Sequence, residues 1–415
     1  MAGPLLVTPL GGSITATWTV PGSKSMTNRG LVLAALSEGT TTLHGVLHSD
    51  DTRHMANALV AMGIEVENVG ETTMVVRGGK SRLRRPEGDA PIFIGNSGTT
   101  VRFLTALAAL VPGPVTFQGD EHMAKRPISD LVDALRQLDI QVECPTGCPP
   151  LTVHGSGLPG GAIKMPGTKS SQYFSALLLS AGLADGPLSI EVIGELVSRP
   201  YVRMTIQMVE DFNGVIEETS DGGFRSTPVT GDGYVPTGGA VAVEPDASSA
   251  SYPFAVAAAT GSTITVPHLN ERSLQGDYHF VDVLGQMGCT VVKHDKWTKV
   301  NPPLLLPLLP NGRSTHAQLE QQPLPAAFSA LSDSPWFRAQ VTGPAKLKGI
   351  DVDMHHISDT VMTLAALAPL AEGPTTIRNV ANIRIKETDR LVRPSTPPNR
   401  GAAFPHRDKM RKTPG

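Results

Sequence analysis

The chain has 415 residues, a net charge of -3 at pH 7 and 18% charged residues. That length exceeds what one core usually organises and predicts two domains, while the near-neutral balance argues against nucleic acid as a partner. No apolar run approaches about 18 residues and no basic-then-apolar leader opens the chain, so neither a membrane span nor secretion is expected.

Read in chain order, apolar periodicity and capping residues predict helices over 25–37, 51–62, 98–111, 128–138, 171–183, 199–212, 247–259, 277–287 and 358–371. Pro127 and Pro200 sit where a first helical turn tolerates proline, and Asp50 and Ser358 stand where caps are expected. Between the helices, β-branched runs at 40–47, 73–76, 190–193 and 263–267 predict strands. The mixture is α/β. Five helix ends run through small residues into a glycine and then a β-rich run, at Gly39, Gly113, Gly186, Gly261 and Gly373, with intervals of 74, 73, 75 and 112 residues. A second marker, at Gly63, Asp139, Gly214 and Gly288, keeps intervals of 76, 75 and 74. Two markers on one period identify a repeated supersecondary unit, each copy needing neighbours to cover its apolar face. Cys144, Cys148 and Cys289 lack partners at zinc spacing and are expected as buried thiols of a reducing compartment.

The chemistry-bearing motifs fall at helix starts. PGSKSMTNR (21–29) puts Lys24, Ser25 and Arg29 around the open N–H groups of the first helix, a combination suited to an anion. GNSGTTVRF (95–103) offers Asn96 and Gly98 for close backbone approach. Lys125 and Arg126 precede the fourth helix; Ser170, Ser171 and Gln172 open the fifth, and Ser198, Arg199 and Tyr201 the sixth. Singly, each motif fits a capped surface helix equally well. Together they mark equivalent positions of stacked repeats, whose dipoles and cations converge on one anionic substrate. NIRIKETDRL then adds Asn382, Lys386, Glu387 and Arg390, and HHISDTVMT adds Asp359. Glu387 and Asp359 are the acid/base candidates, with a surface ion pair between Glu387 and Arg390 as the alternative. His355 and His356 have no partner at ligand spacing, so no metal is expected.

In that order PGSKSMTNR, GNSGT, KRPI, SSQY, LVSRPY, DASSASY, SLQGD and IKETDRL resemble the 5-enolpyruvylshikimate-3-phosphate synthase family, from about residue 8 to 391 with 298–340 excepted. The resemblance implies a two-domain enolpyruvyl transferase fold, an inside-out α/β barrel of βαβαββ repeats with the last repeat missing. Residues 22–242 would form a first domain of three repeats, and 1–21 with 243–391 an incomplete second. The implied activity is that of a transferase of the shikimate pathway, leading to chorismate and the aromatic amino acids. It moves the enolpyruvyl group of phosphoenolpyruvate onto the 5-hydroxyl of shikimate 3-phosphate and releases phosphate, without metal or organic cofactor. By this resemblance Lys24, Ser25, Arg29, Ser170, Ser171, Gln172, Ser198, Tyr201, Asp359, Asn382 and Lys386 hold shikimate 3-phosphate. Lys24, Asn96, Gly98, Arg126, Gln172 and Arg390 hold phosphoenolpyruvate. Lys24, Asp359 and Glu387 are the implied catalytic groups, with Glu387 donating the proton. The implied partners are those two small molecules, with glyphosate as the family's inhibitor; the chain is expected as a cytoplasmic or plastid monomer, with no nucleic acid or membrane. A related transferase acting on UDP-N-acetylglucosamine is disfavoured by SKSMTNR, SSQY and KETDR, and a non-catalytic shikimate 3-phosphate binder is the alternative function.

Three departures carry expectations of their own. Residues 300–340 exceed the period and lack helix or strand spacing, predicting a disordered insert of the kind a translated intron leaves. Residues 392–415 cannot continue an amphipathic helix through their prolines and are expected as a disordered tail, in which His406, Arg407 and Lys412 do not match the family's later phosphoenolpyruvate ligands. An incomplete second domain predicts little or no activity for this chain. Phe103 stands where many family members carry proline and predicts reduced glyphosate sensitivity.

Overall fold

The computed structural model describes residues 11–231, 233–293 and 338–391. The expected tail and residues 300–337 of the expected insert lie outside the described residues. Helices form close to every expected position: α1 (Lys24–Ala35), α2 (Asp50–Ala61), α3 (Gly98–Ala108), α4 (Ser129–Arg136), α5 (Ser171–Ala181), α6 (Arg199–Asp211), α7 (Ala247–Thr260), α8 (Phe280–Gln286) and α9 (Val361–Leu367). The cap of α2 is Ser49 and not Asp50. Ser49 Oγ accepts from Thr52 N while Thr52 Oγ1 accepts from Ser49 N at 2.9 Å, a reciprocal pair that Asp50, one residue inside the helix, cannot make. Ser358 is likewise not a cap but the first residue of a 3-10 turn, Ser358–Thr360, that leads into α9.

The repeat period has a backbone cause. Gly63, Asp139 and Gly288 leave their helices with φ of 92°, 59° and 99°. In the third unit that left-handed position belongs to Asn213 (φ 59°), one residue before the expected Gly214, because an asparagine side chain tolerates the conformation nearly as glycine does.

Four sheets share one plan: a parallel edge pair followed by two antiparallel pairings. The second runs Ile92–Phe93, Gly113–Gln118, Leu151–Gly155, Gln141–Glu143, and the third Gly161–Pro166, Leu188–Ile193, Phe224–Thr227, Val215–Glu218. The first and fourth borrow their edge strand from far away in sequence. Ala240–Ala242 pairs in parallel with Gly39–His44, in register Ala240 to Thr42, and Thr15–Thr17 pairs with Thr263–Pro267, in register Thr15 to Thr263. Arg338–Thr342 pairs antiparallel with both Thr263–Pro267 and Thr290–Lys293. Residues 338–340, expected inside the insert, therefore complete a sheet. Their alternating burial, with Ala339 and Val341 inside, is the strand period that a boundary set by composition passed over. Beyond them lie two two-stranded parallel pairs, Leu347–Lys348 with Ala371–Glu372 and Asp351–Asp353 with Thr376–Arg378.

Two hydrophobic cores result, one from Met26 to Val243 and one gathering Val20 with residues 247–383. In the first lobe α3 is buried along its whole length, and α1 and α5 nearly so. Buried on nearly every side, they fill the centre, while α2, α4 and α6 keep a solvated face outside. Of the cysteines only Cys289 is buried; Cys144 and Cys148 sit in the loop after Gln141–Glu143, half-exposed, and all three are free.

Candidate active site

Repetition of the unit points the starts of α1, α3, α5 and α6 the same way, and the start of α7 from the second lobe faces them across a cleft of about 760 Å³. The site residues named from the sequence line this cleft, except Arg29, Asn96, Lys125 and Arg199. Lys24 and Ser25, Gly98, Ser171 and Gln172 are each the first or second residue of a helix, where open N–H groups and the positive end of the dipole favour an anion. Ser170 caps α5, its Oγ accepting from Gln172 N at 3.3 Å. Ser198 precedes α6 with φ 52° and ψ 41°, a strained conformation for serine, and its buried Oγ has no partner. Such an orphaned hydroxyl at a helix start is poised to meet a ligand.

Arg29 lies beneath the cleft, not in it. It is 1% exposed, and its guanidinium bonds to Thr205 Oγ1 (2.8 Å), Ser25 O (2.9 Å), Tyr201 O (3.0 Å) and Ser175 Oγ (3.2 Å), above the Phe103 ring at 5.2 Å. All these partners are neutral, so burial pushes its pKa down to about 10. The side chain binds together α1, α5 and α6, and Phe103 is the apolar platform under it. Asn96 also acts from outside the cleft: its backbone and side-chain oxygens accept from Arg126 Nη1 at 2.8 and 3.2 Å. A methyl group on Gly98 would come within 2.4 Å of Arg126 Nη2, so glycine is what gives this guanidinium room.

The opposite wall carries carboxylates. Asp359 accepts from Arg390 at 3.0 Å and Lys386 at 3.2 Å; burial opposes its ionisation, but these two cations and Lys24 outweigh it and hold the group well below the usual carboxylate range. Glu387 pairs with Arg390 at 2.6 Å and reaches across the lobes to Arg126 at 3.5 Å, and against burial those arginines hold its pKa down at about 2. Arg126 is pushed down to about 10 by burial and by neighbouring Arg102. Asn382 Nδ2 donates to Ser358 Oγ at 3.2 Å.

Several residues of the cleft were not singled out from the sequence. Arg102, five residues into α3, donates to Gln172 Oε1 at 2.6 Å while Gln172 Nε2 donates to Thr99 Oγ1 at 3.0 Å. Lys169 pairs with Asp130 at 2.6 Å. The Asp246 carboxylate accepts from Lys24 N (3.1 Å) and Ser249 N (2.7 Å), capping α1 and α7 together. Just outside the cleft, Asp277 is fully buried and has its pKa pushed up to about 7 by desolvation and by Asp359. Asp246 and Asp277 lie in DASSASY and SLQGD, and a carboxylate capping a helix or standing in the first turn of a 3-10 helix was the available signal. The lining position of Lys125, which stands in an exposed 3-10 turn outside the cleft, went to Arg126 alone.

Residues 10–396 match the family EPSP synthase (3-phosphoshikimate 1-carboxyvinyltransferase). The chain belongs to the EPSP synthase family. It is 41% identical to the chloroplastic 3-phosphoshikimate 1-carboxyvinyltransferase of Arabidopsis thaliana over 90% of this chain and 66% of that protein. It is 40% identical to the Mannheimia haemolytica enzyme of the same name, over 91% of this chain and 78% of the relative. Among solved structures, EPSP synthase from Acinetobacter baumannii superimposes with a TM-score of 0.69 at 24% identity, over 92% of this chain and 77% of that one. Members of the EPSP synthase family are transferases of the shikimate pathway, and their fold is the α/β enolpyruvyl transferase architecture described above. The chain thus spans about two thirds of the length of its plant relative.

Proposed function

We propose that this chain transfers the enolpyruvyl group of phosphoenolpyruvate to the 5-hydroxyl of shikimate 3-phosphate, forming 5-enolpyruvylshikimate 3-phosphate and phosphate. The observation that carries the reading is the convergence of Lys24, Arg126, Ser171 and Lys386 on one cleft lined by helix starts. Ser170, Ser171, Ser198 and Lys386 take the shikimate phosphate, and Ser25, Gln172, Tyr201, Asp359 and Asn382 the rest of that substrate; Arg29 supports it from below. Lys24, Gly98, Arg126, Gln172 and Arg390 take phosphoenolpyruvate, whose carboxylate and phosphate suit forked donors. Asp359 orients or deprotonates the 5-hydroxyl as it attacks C2, Glu387 protonates C3, and Lys24 stabilises the developing charge before phosphate leaves.

Glu387 is an anion in the arrangement described, so its acid role needs a cause. An incoming anion competes for Arg126 and Arg390. Once they turn to the substrate, the carboxyl loses the charges that depress its pKa and takes up a proton. No step calls for a metal or organic cofactor, and the compartment is cytoplasmic or plastid, in line with the bacterial and chloroplastic relatives. The chain works as a monomer, which its elution volume checks.

Titration calorimetry with shikimate 3-phosphate and then phosphoenolpyruvate, paired with a phosphate-release assay, tests the reading. Both ligands are expected to bind in one cleft and to release phosphate together. Binding of the first without phosphate release would establish a non-catalytic binder instead, and binding of neither would end the proposal.

A further inference from the structure

Asp277 has no part in the mechanism above. It sits in the 3-10 turn Gly276–His279, 2% exposed, outside the cleft that Tyr201 lines. Its Oδ2 meets the Tyr201 hydroxyl at 3.1 Å and the Ser248 hydroxyl, and its Oδ1 is buried without a hydrogen-bond partner. The same Tyr201 oxygen lies 3.0 Å from Asp359 Oδ2.

A phenol carries one proton and can donate to one carboxylate only. With both carboxylates ionised, the second contact would press an oxygen lone pair against an anion in a buried place, which is costly. One of the two therefore holds a proton. Their other neighbours decide which. Asp359 is bonded by Lys386 and Arg390, whereas among the described residues no cation bonds to Asp277. The charged groups that face Asp277 are Asp359 and Asp246, both carboxylates, and Tyr201 and Ser248 supply only hydroxyls. Burial and the two carboxylates favour the neutral acid on Asp277 and outweigh the Ser248 and Tyr201 hydroxyls, whose hydrogen bonds favour the anion.

We propose that Asp277 is a positioning residue that works as a neutral carboxylic acid: it donates to the Tyr201 oxygen, which directs the Tyr201 hydroxyl onto Asp359 and fixes that carboxylate for the substrate hydroxyl. The substrate named here rests on the proposed function; the protonation of Asp277 does not. When Asp277 ionises at higher pH, Tyr201 is left between two anions and the direction of the chain is lost. Affinity for shikimate 3-phosphate then falls as pH rises.

Asp277→Asn keeps a donor without a charge, and Asp277→Leu keeps the volume without a donor. In the full 415-residue chain, the infrared difference between wild type and Asp277→Asn at low pH should contain a protonated-carboxyl C=O band that fades on alkaline titration; its absence overturns the proposal. Calorimetry with shikimate 3-phosphate at about pH 6 and about pH 8.5, on either side of the range where such a buried acid titrates, gives the functional half. Wild type should weaken about tenfold between the two, the worth of one directed hydrogen bond, while Asp277→Asn stays within about threefold of the low-pH value at both. Asp277→Leu should be about tenfold weaker at either pH. Equal losses in Asn and Leu would mean that Asp277 works as a carboxylate and would overturn the proposal. If wild type binds no shikimate 3-phosphate at any pH, the functional reading fails, and the infrared band alone decides whether Asp277 holds its proton.

Discussion

The two walls of the cleft are built on opposite principles. On the first lobe, positive character comes from helix starts rooted in a continuous core, so Ser171 or Gly98 is held by backbone that cannot shift without unpacking α3 or α5. On the second, Asp359, Asn382, Lys386 and Glu387 stand on or beside the short turns Ser358–Thr360 and Ala381–Ile385 and are held by ion pairs among themselves and by Arg390. One wall is pre-organised by packing and the other by charge. The first should therefore be sensitive to shape, the second to ionisation and to the ions that compete for it.

The sharpest break in that contrast is Gly98→Ala. The new methyl group displaces Arg126, and we expect phosphoenolpyruvate affinity to fall about 100-fold, the effect of a displacement of about 1 Å, with shikimate 3-phosphate affinity little changed in the same calorimetric titration. On the charged wall, Asp359→Ala leaves Lys386 and Arg390 without their shared anion. Denaturant unfolding should show a loss of about 2 kcal/mol, below the range for a fully buried pair because the Asp359 side chain is 26% exposed. Ser198→Gly relieves a left-handed serine and should raise stability by about 1 kcal/mol while weakening shikimate 3-phosphate binding, a trade that only a packed, strained position shows. The smallest effect is in acid. Glu387 is depressed from 4.5 to about 2, so its contribution to stability is complete above 4.5 and lost as pH falls toward 2. Glu387→Gln should flatten that part of the acid unfolding curve by lowering stability in the neutral region, where the contribution is fully present, while leaving the most acid region nearly unchanged; an identical acid limb would show that Arg126 and Arg390 do not grip the carboxylate.

Much of the first wall was legible in the sequence because its determinants are local. Helix periods, caps and the left-handed residue that ends the second helix of each unit repeat in phase, and repetition alone brings Lys24, Ser171 and Gln172 to one side. The second wall was less so. Asp359 and Glu387 can be picked out as carboxylates among cations, yet what couples Asp359 to Tyr201 and Asp277 is the meeting of segments 158 and 76 residues apart in sequence. Arg29 shows the limit from the other side. Its place beside Lys24 and Ser25 in the motif suggests a ligand contact, but one more helical turn carries it under the floor, against Thr205 and Ser175. Residues 338–340 were hidden by a preceding Pro- and Leu-rich sequence whose composition said nothing of the strand that follows it.

The borrowed edge strands bear on how the chain acquires its shape during synthesis. Gly39–His44 emerges from the ribosome about 200 residues before Ala240–Ala242, the partner that closes its sheet, so at elongation rates of about 5–20 residues per second that edge stays open for ten seconds or more. Thr15–Thr17 waits longer still for Thr263–Thr265. A nascent chain with such an edge is a target for chaperones or for mispairing with a neighbour on the same message. Slowed translation between residues 44 and 240 should therefore lower the soluble yield even though no amino acid changes.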